Sequence, residues 1–450
     1  MSAAFRFIHA ADLHLDSPFR GLAEVPDKVG LHLRESTFAA LRRLTDVAIE
    51  RQVDFIVLAG DLYDAADRSL RAQLALQREW SKLQSHGIQV FAIHGNHDPL
   101  SGSKAKLDIP DSVTVFGAEA SEGRPAYRRD GELAAYIYGI SYGTRAVTDN
   151  LAARYVRRPD GPFHIALLHA NVDGDPSHDP YSPCRLDELT GAGFDYWALG
   201  HIHDRRVLHE YPHVAYSGNT QGRNPRETGS KGCYIVDVTE SREVNMRFEP
   251  LDEIRFARAE LDITGLDTEQ ALLEAMQALG EQTAAEHEGR HVMLKMVLLG
   301  RGGLHGRLSN GSFTAELLAE LRERWDPEHT GSAPWLWMYA LECLTGAELR
   351  TDELAGEDSF AGELYRMALA LSQQPDRRQA FMREALASLS EQPRLRRLFR
   401  DKQEQMPGDW FEQAVELVLG LLLEEELEQA SAEPVNPDGR SLSGQRGKVG

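Results

Sequence analysis

Five times in the first half of the chain, a short apolar run ends in residues able to bind a metal ion, and no other sequence feature constrains the fold as tightly. FRFIHA (5–10) is followed by Asp12 and His14, and DFIVLAG (54–60) by Asp61 and, three further on, Asp64. IQVFAIHG (88–95) is followed by Asn96, His97 and Asp98, FHIALLHA (163–170) carries His169, and DYWALG (195–200) leads into His201 and His203. Runs of this length, rich in Val, Ile, Phe and Leu, predict buried strands. Between the first three lie stretches with apolar residues three and four apart, Leu33 to Arg51 and Ser69 to His86, which predict amphipathic helices. Strands alternating with helices predict an α/β fold, in which side chains at the carboxyl ends of strands converge on one crevice. The ligand-bearing residues are expected to meet there.

Further along, HVAYSG, CYIVDV and EVNMRFEP follow one another without helices, which predicts two mixed sheets in a layered α/β sandwich. The alternation changes near Leu251, giving a main domain over 1–250 and a small α+β domain over 251–345. Residues 346–428 read as a helical module broken by Pro375, Pro393 and Pro407, and 429–450 as a polar tail expected to be disordered. Within the module, the helix expected over 410–428 has an apolar face of Trp410, Phe411, Val415, Val418 and Leu421, which either packs on its neighbours or receives a partner's coiled coil.

The start of the chain has too short an apolar run for a signal peptide, and Leu417 to Leu423 is too short to span a bilayer, so a cytoplasmic protein without membrane contact is expected. Three cysteines, Cys184, Cys233 and Cys343, form neither a CxxC pair nor a disulfide framework. The net charge of -21 argues against holding nucleic acid by bulk charge alone. The excess is uneven: residues 1–250 carry 28 Lys and Arg against 34 acids, residues 251–450 carry 21 against 36.

Imidazoles with carboxylates and one amide oxygen, and no thiolate, suit manganese, iron or zinc in an open catalytic site. So many ligands exceed the needs of one ion, whereas two ions about 3.5 to 4 Å apart would use them all, with Asp61 as the natural bridge. A phosphate ester is the substrate such a pair serves best, with a metal-bridging hydroxide as nucleophile. His97, next to Asn96, is the candidate general acid, and Asp98 the candidate carboxylate that keeps its imidazole protonated. His9 and His94 lie within apolar strands and are expected to be packing residues. Arg205, Arg206, Arg223 and Arg226 could contact phosphates or equally be surface charges.

In order and spacing, DxH (Asp12, His14), GDLYD (60–64), GNHD (95–98), the lone His169 and GHIH (200–203) resemble the calcineurin-like metallophosphoesterase superfamily. The opening HAADLHLDSPF, the ALGHIH block and YSGNTQGRNPRETGSKGCYIVDV further resemble its SbcD-type DNA repair exonucleases, most closely the YhaO branch. The resemblance implies a layered αββα sandwich, with Asp12, His14, Asp61 and His203 on one ion and Asp61, Asn96, His169 and His201 on the other. It implies two divalent metal ions, manganese foremost, with DNA as substrate, a homodimer, and an SbcC-like or YhaN-like coiled-coil ATPase as partner. Some members carry His where this chain has Asp64, which leaves the exonuclease against endonuclease balance open. A phosphatase or cyclic-nucleotide phosphodiesterase, or a non-catalytic scaffold of an ATPase complex, is the alternative.

Overall fold

The computed structural model describes residues 4–19, 25–64, 69–102, 107–119, 123–175, 179–287, 289–331, 333–349, 351–390, 411–412 and 414–422. The expected tail at 429–450, together with Pro393, Pro407 and Trp410, lies outside the described residues.

In chain order the first sheet uses β1 (Phe5–Ala10), β2 (Phe55–Ala59), β3 (Gln89–Ile93) and β4 (Val113–Val115). The second uses β5 (Arg124–Tyr127), β6 (Leu133–Gly139), β7 (His164–His169), β8 (Tyr196–Gly200), β9 (Arg206–Glu210) and β10 (His213–Tyr216). The chain then returns to the first with β11 (Gly232–Val238) and β12 (Val244–Pro250). The strand orders are β12-β11-β1-β2-β3-β4 and β5-β6-β7-β8-β10-β9. β1 to β4 are mutually parallel, as are β6, β7, β8 and β10, and antiparallel strands close the other edges. Both sheets are mixed, as expected, and the parallel centre of each gives all its strand ends one direction.

Side-chain alternation along the strands builds the layers. Phe5 and Phe7 of β1, Phe55 and Val57 of β2, and Phe91 and Ile93 of β3 pack against Ile137, Ile165, Leu167 and Tyr196 of the facing sheet. The opposite face of the first sheet, with Ile8, Ile56, Leu58 and Val90, buries Phe38, Leu41, Leu44, Leu76 and Trp80 of α1 (Asp27–Glu50) and α2 (Leu70–Ser85). The outer face of the second sheet is covered by Leu151 and Ala152 at a single turn of 3-10 helix and by Leu189 from α3 (Leu186–Gly191). Helix, sheet, sheet, helix is the αββα sandwich that the sequence predicts.

Further on, β13 (Ile254–Asp262), β14 (His291–Leu299) and β15 (Leu336–Cys343) form a three-stranded sheet, with α4 (Glu269–Ala285), α5 (His305–Leu308) and α6 (Gly311–Arg324) between them in sequence. Then come α7 (Thr351–Gly356), α8 (Phe360–Ser372) and α9 (Pro375–Ser390). Pro375 opens α9, where a missing N–H costs nothing. The chain divides into two compact units, Met1–Ala259 with Met276–Met296 and Leu317–Leu341, and Glu260–Ala275 with Val297–Glu316 and Glu342–Gly450. The first holds both large sheets. Among the described residues no helix is long and apolar enough to cross a membrane.

Candidate metal centre

Every predicted ligand lies at or just past the end of a strand, His169 being the last residue of β7. Beyond the pairing of β1 with β2, Asp12 N donates to Gly60 O at 3.0 Å and His14 N to Asp61 O at 3.0 Å. The loops hold Asp12, His14, Asp61 and His201 at φ of 52°, 43°, 50° and 97°, a left-handed conformation rare for residues with a Cβ. Such strain, of order 1–3 kcal/mol each, persists only where surrounding contacts over-determine it and clusters at functional sites. Close approach requires glycine at 95: a Cβ there would lie 2.3 Å from Asp61 Oδ1 and 2.7 Å from His169 Nε2.

The side chains gather around Asp61. Its Oδ2 lies 3.6 Å from His14 Nε2 and 3.4 Å from His169 Nε2. The Nε2 atoms of His14 and His203 approach to 3.2 Å, Asp12 Oδ1 is 4.0 Å from His14 Nε2, and Asn96 Oδ1 is 3.0 Å from His169 Nε2. Asp12, His14 and His203 form one group of converging donors, and Asp12, Asp61 and His169 another. The His201 ring packs edge-on to that of His169, 5.2 Å between centres, and its backbone N–H donates to Asp12.

Outer partners set the imidazole faces. His169 Nδ1 donates to Ala59 O at 2.9 Å, and His203 Nδ1 pairs with Glu227 Oε1 at 2.8 Å, so each turns its Nε2 to the centre. His201 Nε2 donates to Asp179 O at 2.9 Å, and His201 belongs to none of the groups of converging donors found among the described residues. His14 Nδ1 is buried with no hydrogen-bond partner among the described residues, Asp64 Oδ1 standing 3.7 Å away.

The electrostatics suit a cation. Asp12, Asp61, His14 and His169 are all buried. Burial pushes the Asp12 carboxyl up, only partly offset by His169 and His203. It opposes the charge on Asp61 too, yet His169, His14 and His97 together hold that carboxyl well below its usual range. His169 is driven up to about 9 against burial by Asp61 and Asp12, and His14 is driven down to about 3 by burial and by Arg223. A buried carboxylate kept ionised by an imidazole that holds its proton marks a site where positive charge is favoured. Two or three carboxylate oxygens, inward Nε2 lone pairs and an amide oxygen fit a pair of divalent ions.

His97 stands at the rim, its side chain about one third exposed, and its backbone N–H donates to Asp61 Oδ1 at 2.9 Å. Asp98 was expected to hold its imidazole, and it does not. The Asp98 carboxylate turns inward and accepts from Leu62 N, Gly95 N and His94 Nδ1 at 3.0, 2.7 and 2.8 Å, because the tight turn aims residue 98 at the backbone of its own loop. Asp64 takes the place, pairing with His97 Nδ1 through Oδ1. Burial works against a charged His97, but Asp64 and Asp61 raise it above its ordinary value. A third group of possible ligand atoms, His14, Asp64 and His97, lies beside the other two.

Sequence reasoning missed Glu227, which also accepts from Asn219 and from the backbone of Arg223, and Ser17, which accepts from the Arg223 guanidinium. Neither sits at a strand end, so nothing in spacing points to them. Of the four arginines left open, Arg206 pairs with Asp175 and Arg205 lies over the Phe248 ring at 3.8 Å. His9 is the packing residue expected, bound to Tyr196 and to Leu199 O between the sheets.

Residues 5–205 match the calcineurin-like phosphoesterase family, and residues 256–346 match the middle domain of metallophosphoesterase YhaO. The metallophosphoesterase YhaO of Bacillus subtilis (strain 168) is 43% identical over 295 residues, 65% of this chain and 71% of that protein. The DNA double-strand break repair protein Mre11 of Thermoplasma acidophilum is 30% identical over 261 residues, 55% of this chain and 66% of that one. A component of the nuclease SbcCD of Escherichia coli (strain K12) is 27% identical over 269 residues, 52% of this chain and 64% of that one. The chain thus spans less than two thirds of the length of the last two of these relatives.

Proposed function

The chain belongs to the calcineurin-like metallophosphoesterases, in the group with a YhaO-type middle domain, and from that premise we propose that it is a two-metal phosphodiesterase acting on DNA. The observation that carries the reading is the convergence of His14, His203 and His169 Nε2 with Asp61 on one centre, beside a rim imidazole whose carboxylate partner favours its charged form. Asp12, His14, Asp61 and His203 would hold one ion, and Asp61, Asn96, His169 and His201 the other. Bound divalent ions, manganese on our reading, supply Lewis acidity toward phosphate oxygens and activate water for in-line attack.

The protein's own part is proton delivery and placement. His97 hands its proton to the leaving oxygen, and Asp64 offsets the cost of keeping that proton in a half-buried site. The bond from His97 N–H to Asp61 fixes the acid relative to the shared carboxylate. Support for DNA comes from the relatives named as part of a nuclease and as a double-strand break repair protein. The acid excess of residues 251–450 suggests that a coiled-coil ATPase partner, in the cytoplasm, supplies much of the DNA affinity. An apolar cavity of about 660 Å³ among α8, α9 and 411–418, lined by Leu364, Leu371, Phe381, Phe411 and Val418, supports protein contact in the helical module.

The test is hydrolysis of linear and hairpin DNA with added manganese, run beside His97→Ala. Cleavage is expected from the natural chain, with the variant keeping both ions and losing most turnover. A natural chain that binds two ions and leaves DNA intact, with or without an ATPase partner, would overturn the proposal.

A further inference from the structure

Arg223 lies in the segment between β10 and β11, where its N–H donates to Glu227 Oε2 at 2.7 Å and Glu227 in turn holds His203. That N–H is the backbone's, so the main chain at residue 223 is tied to the centre through two short bonds. Its side chain is only 13% exposed. One terminal nitrogen donates to Ser17 Oγ at 2.8 Å and stands 3.7 Å from Asp64 Oδ2, and the buried Nε has no hydrogen-bond partner among the described residues.

A guanidinium that served only to neutralise Asp64 would meet the carboxylate as a two-pronged fork at about 2.7–2.9 Å. Here Asp64 turns its Oδ1 to His97 instead, and the approach of Arg223 is single and long. A desolvated cation with donors left over is costly unless something else accepts them. Asp64 meets both His97 and, at 3.7 Å, His14 Nδ1, so the guanidinium stands one side chain away from the proton donor, and a leaving oxygen that takes that proton would depart beside it. The planar fork of arginine matches two oxygens of a phosphate.

Resting on the phosphodiesterase reading above, we propose that Arg223 grips a non-bridging oxygen of the phosphate next to the scissile one, on the leaving-group side, and so selects polynucleotides over isolated phosphodiesters. Ser17 holds the guanidinium in place from the loop that carries Asp12 and His14.

The experiment uses the full chain, Arg223→Gln and Arg223→Lys. Binding of a fluorescent single-stranded oligonucleotide is followed by anisotropy across salt in the presence of a chelator. With manganese, kcat/KM is then measured on the same oligonucleotide and on bis(p-nitrophenyl) phosphate, which has no neighbouring phosphate. Expected for Arg223→Gln are binding about tenfold weaker, a salt slope shallower by about 0.7, and a loss of kcat/KM at least tenfold greater on the oligonucleotide. Arg223→Lys, which keeps the charge but not the fork, should fall between and decides the matter if the Gln variant does not fold. Unchanged binding, or equal losses on both substrates, overturns the proposal, the latter because it marks Arg223 as a support for Asp64. Inactivity of the natural chain on both substrates sinks the phosphodiesterase reading instead, and the anisotropy series still decides the phosphate contact.

Discussion

Two aspartates, three residues after Asp61 and one after His97, exchange the roles their positions suggest, and substitution separates them. Asp64→Asn removes the charge that keeps His97 protonated, so activity should fall about 10- to 100-fold with little change in melting temperature. Asp98→Asn instead places an amide nitrogen against some of the three donors from Leu62, Gly95 and His94, which should cost about 1–3 kcal/mol of stability. Melting curves beside kcat for both variants check this; a stable Asp98→Asn with the larger loss of turnover would restore the pairing read from sequence. The ligand-bearing residues were legible because each follows an apolar run, a signal that survives without coordinates. The partner of His97 was not, since Asp64 and Asp98 are equally good carboxylates until the turn at 95–98 decides which one faces the ring. The left-handed backbone of Asp12, His14, Asp61 and His201 leaves no mark in composition either.

Strands buried on both faces announce themselves as continuous apolar runs, and β1, β2, β3, β7 and β8 lie where those runs predict. The β5 and β9 edge strands went unread because RPAY and RVLHE alternate weakly and face solvent in part. α1 begins at Asp27, six residues before the apolar periodicity suggests, because Pro26 sets the helix start while the first turns carry little apolar surface. The turn following β3 is where element geometry reaches the site. A methyl group added by Gly95→Ala would press on both Asp61 and His169, so the turn has to withdraw or the two ligands have to part. Metal content measured after gel filtration should therefore drop in Gly95→Ala, and the rise in melting temperature on adding manganese, near 2.7 kcal/mol of stabilisation at a hundredfold excess over Kd in the natural chain, should shrink. Full metal retention would show that the loop yields without disturbing the ligands.

The apolar layer between the two sheets also contains a polar contact that joins them. His9 of β1 accepts from Tyr196 O–H through Nδ1 and donates through Nε2 to Leu199 O, joining the two sheets. Burial drives His9 down to about 3, and burial likewise drives His164 and His291 down to about 4. Each imidazole stays neutral in the fold but gains a proton near pH 6.5 once the chain unfolds. Below that pH the unfolded state binds more protons than the native one, so acid draws the equilibrium toward unfolding until the native values are reached. Above about pH 7 the penalty vanishes. For His9 alone the loss between pH 7 and pH 5 is about 2 kcal/mol. Urea unfolding at these two pH values, with chelator present so that metal release adds nothing, should show at least that fall in the natural chain. In His9→Gln, where a group that does not titrate can still donate to Leu199 O, the fall should be smaller by about the same amount. Equal pH dependence in both chains would mean that the imidazole between the sheets takes up its proton without unfolding, and that the join tolerates a charge the apolar layer is expected to refuse.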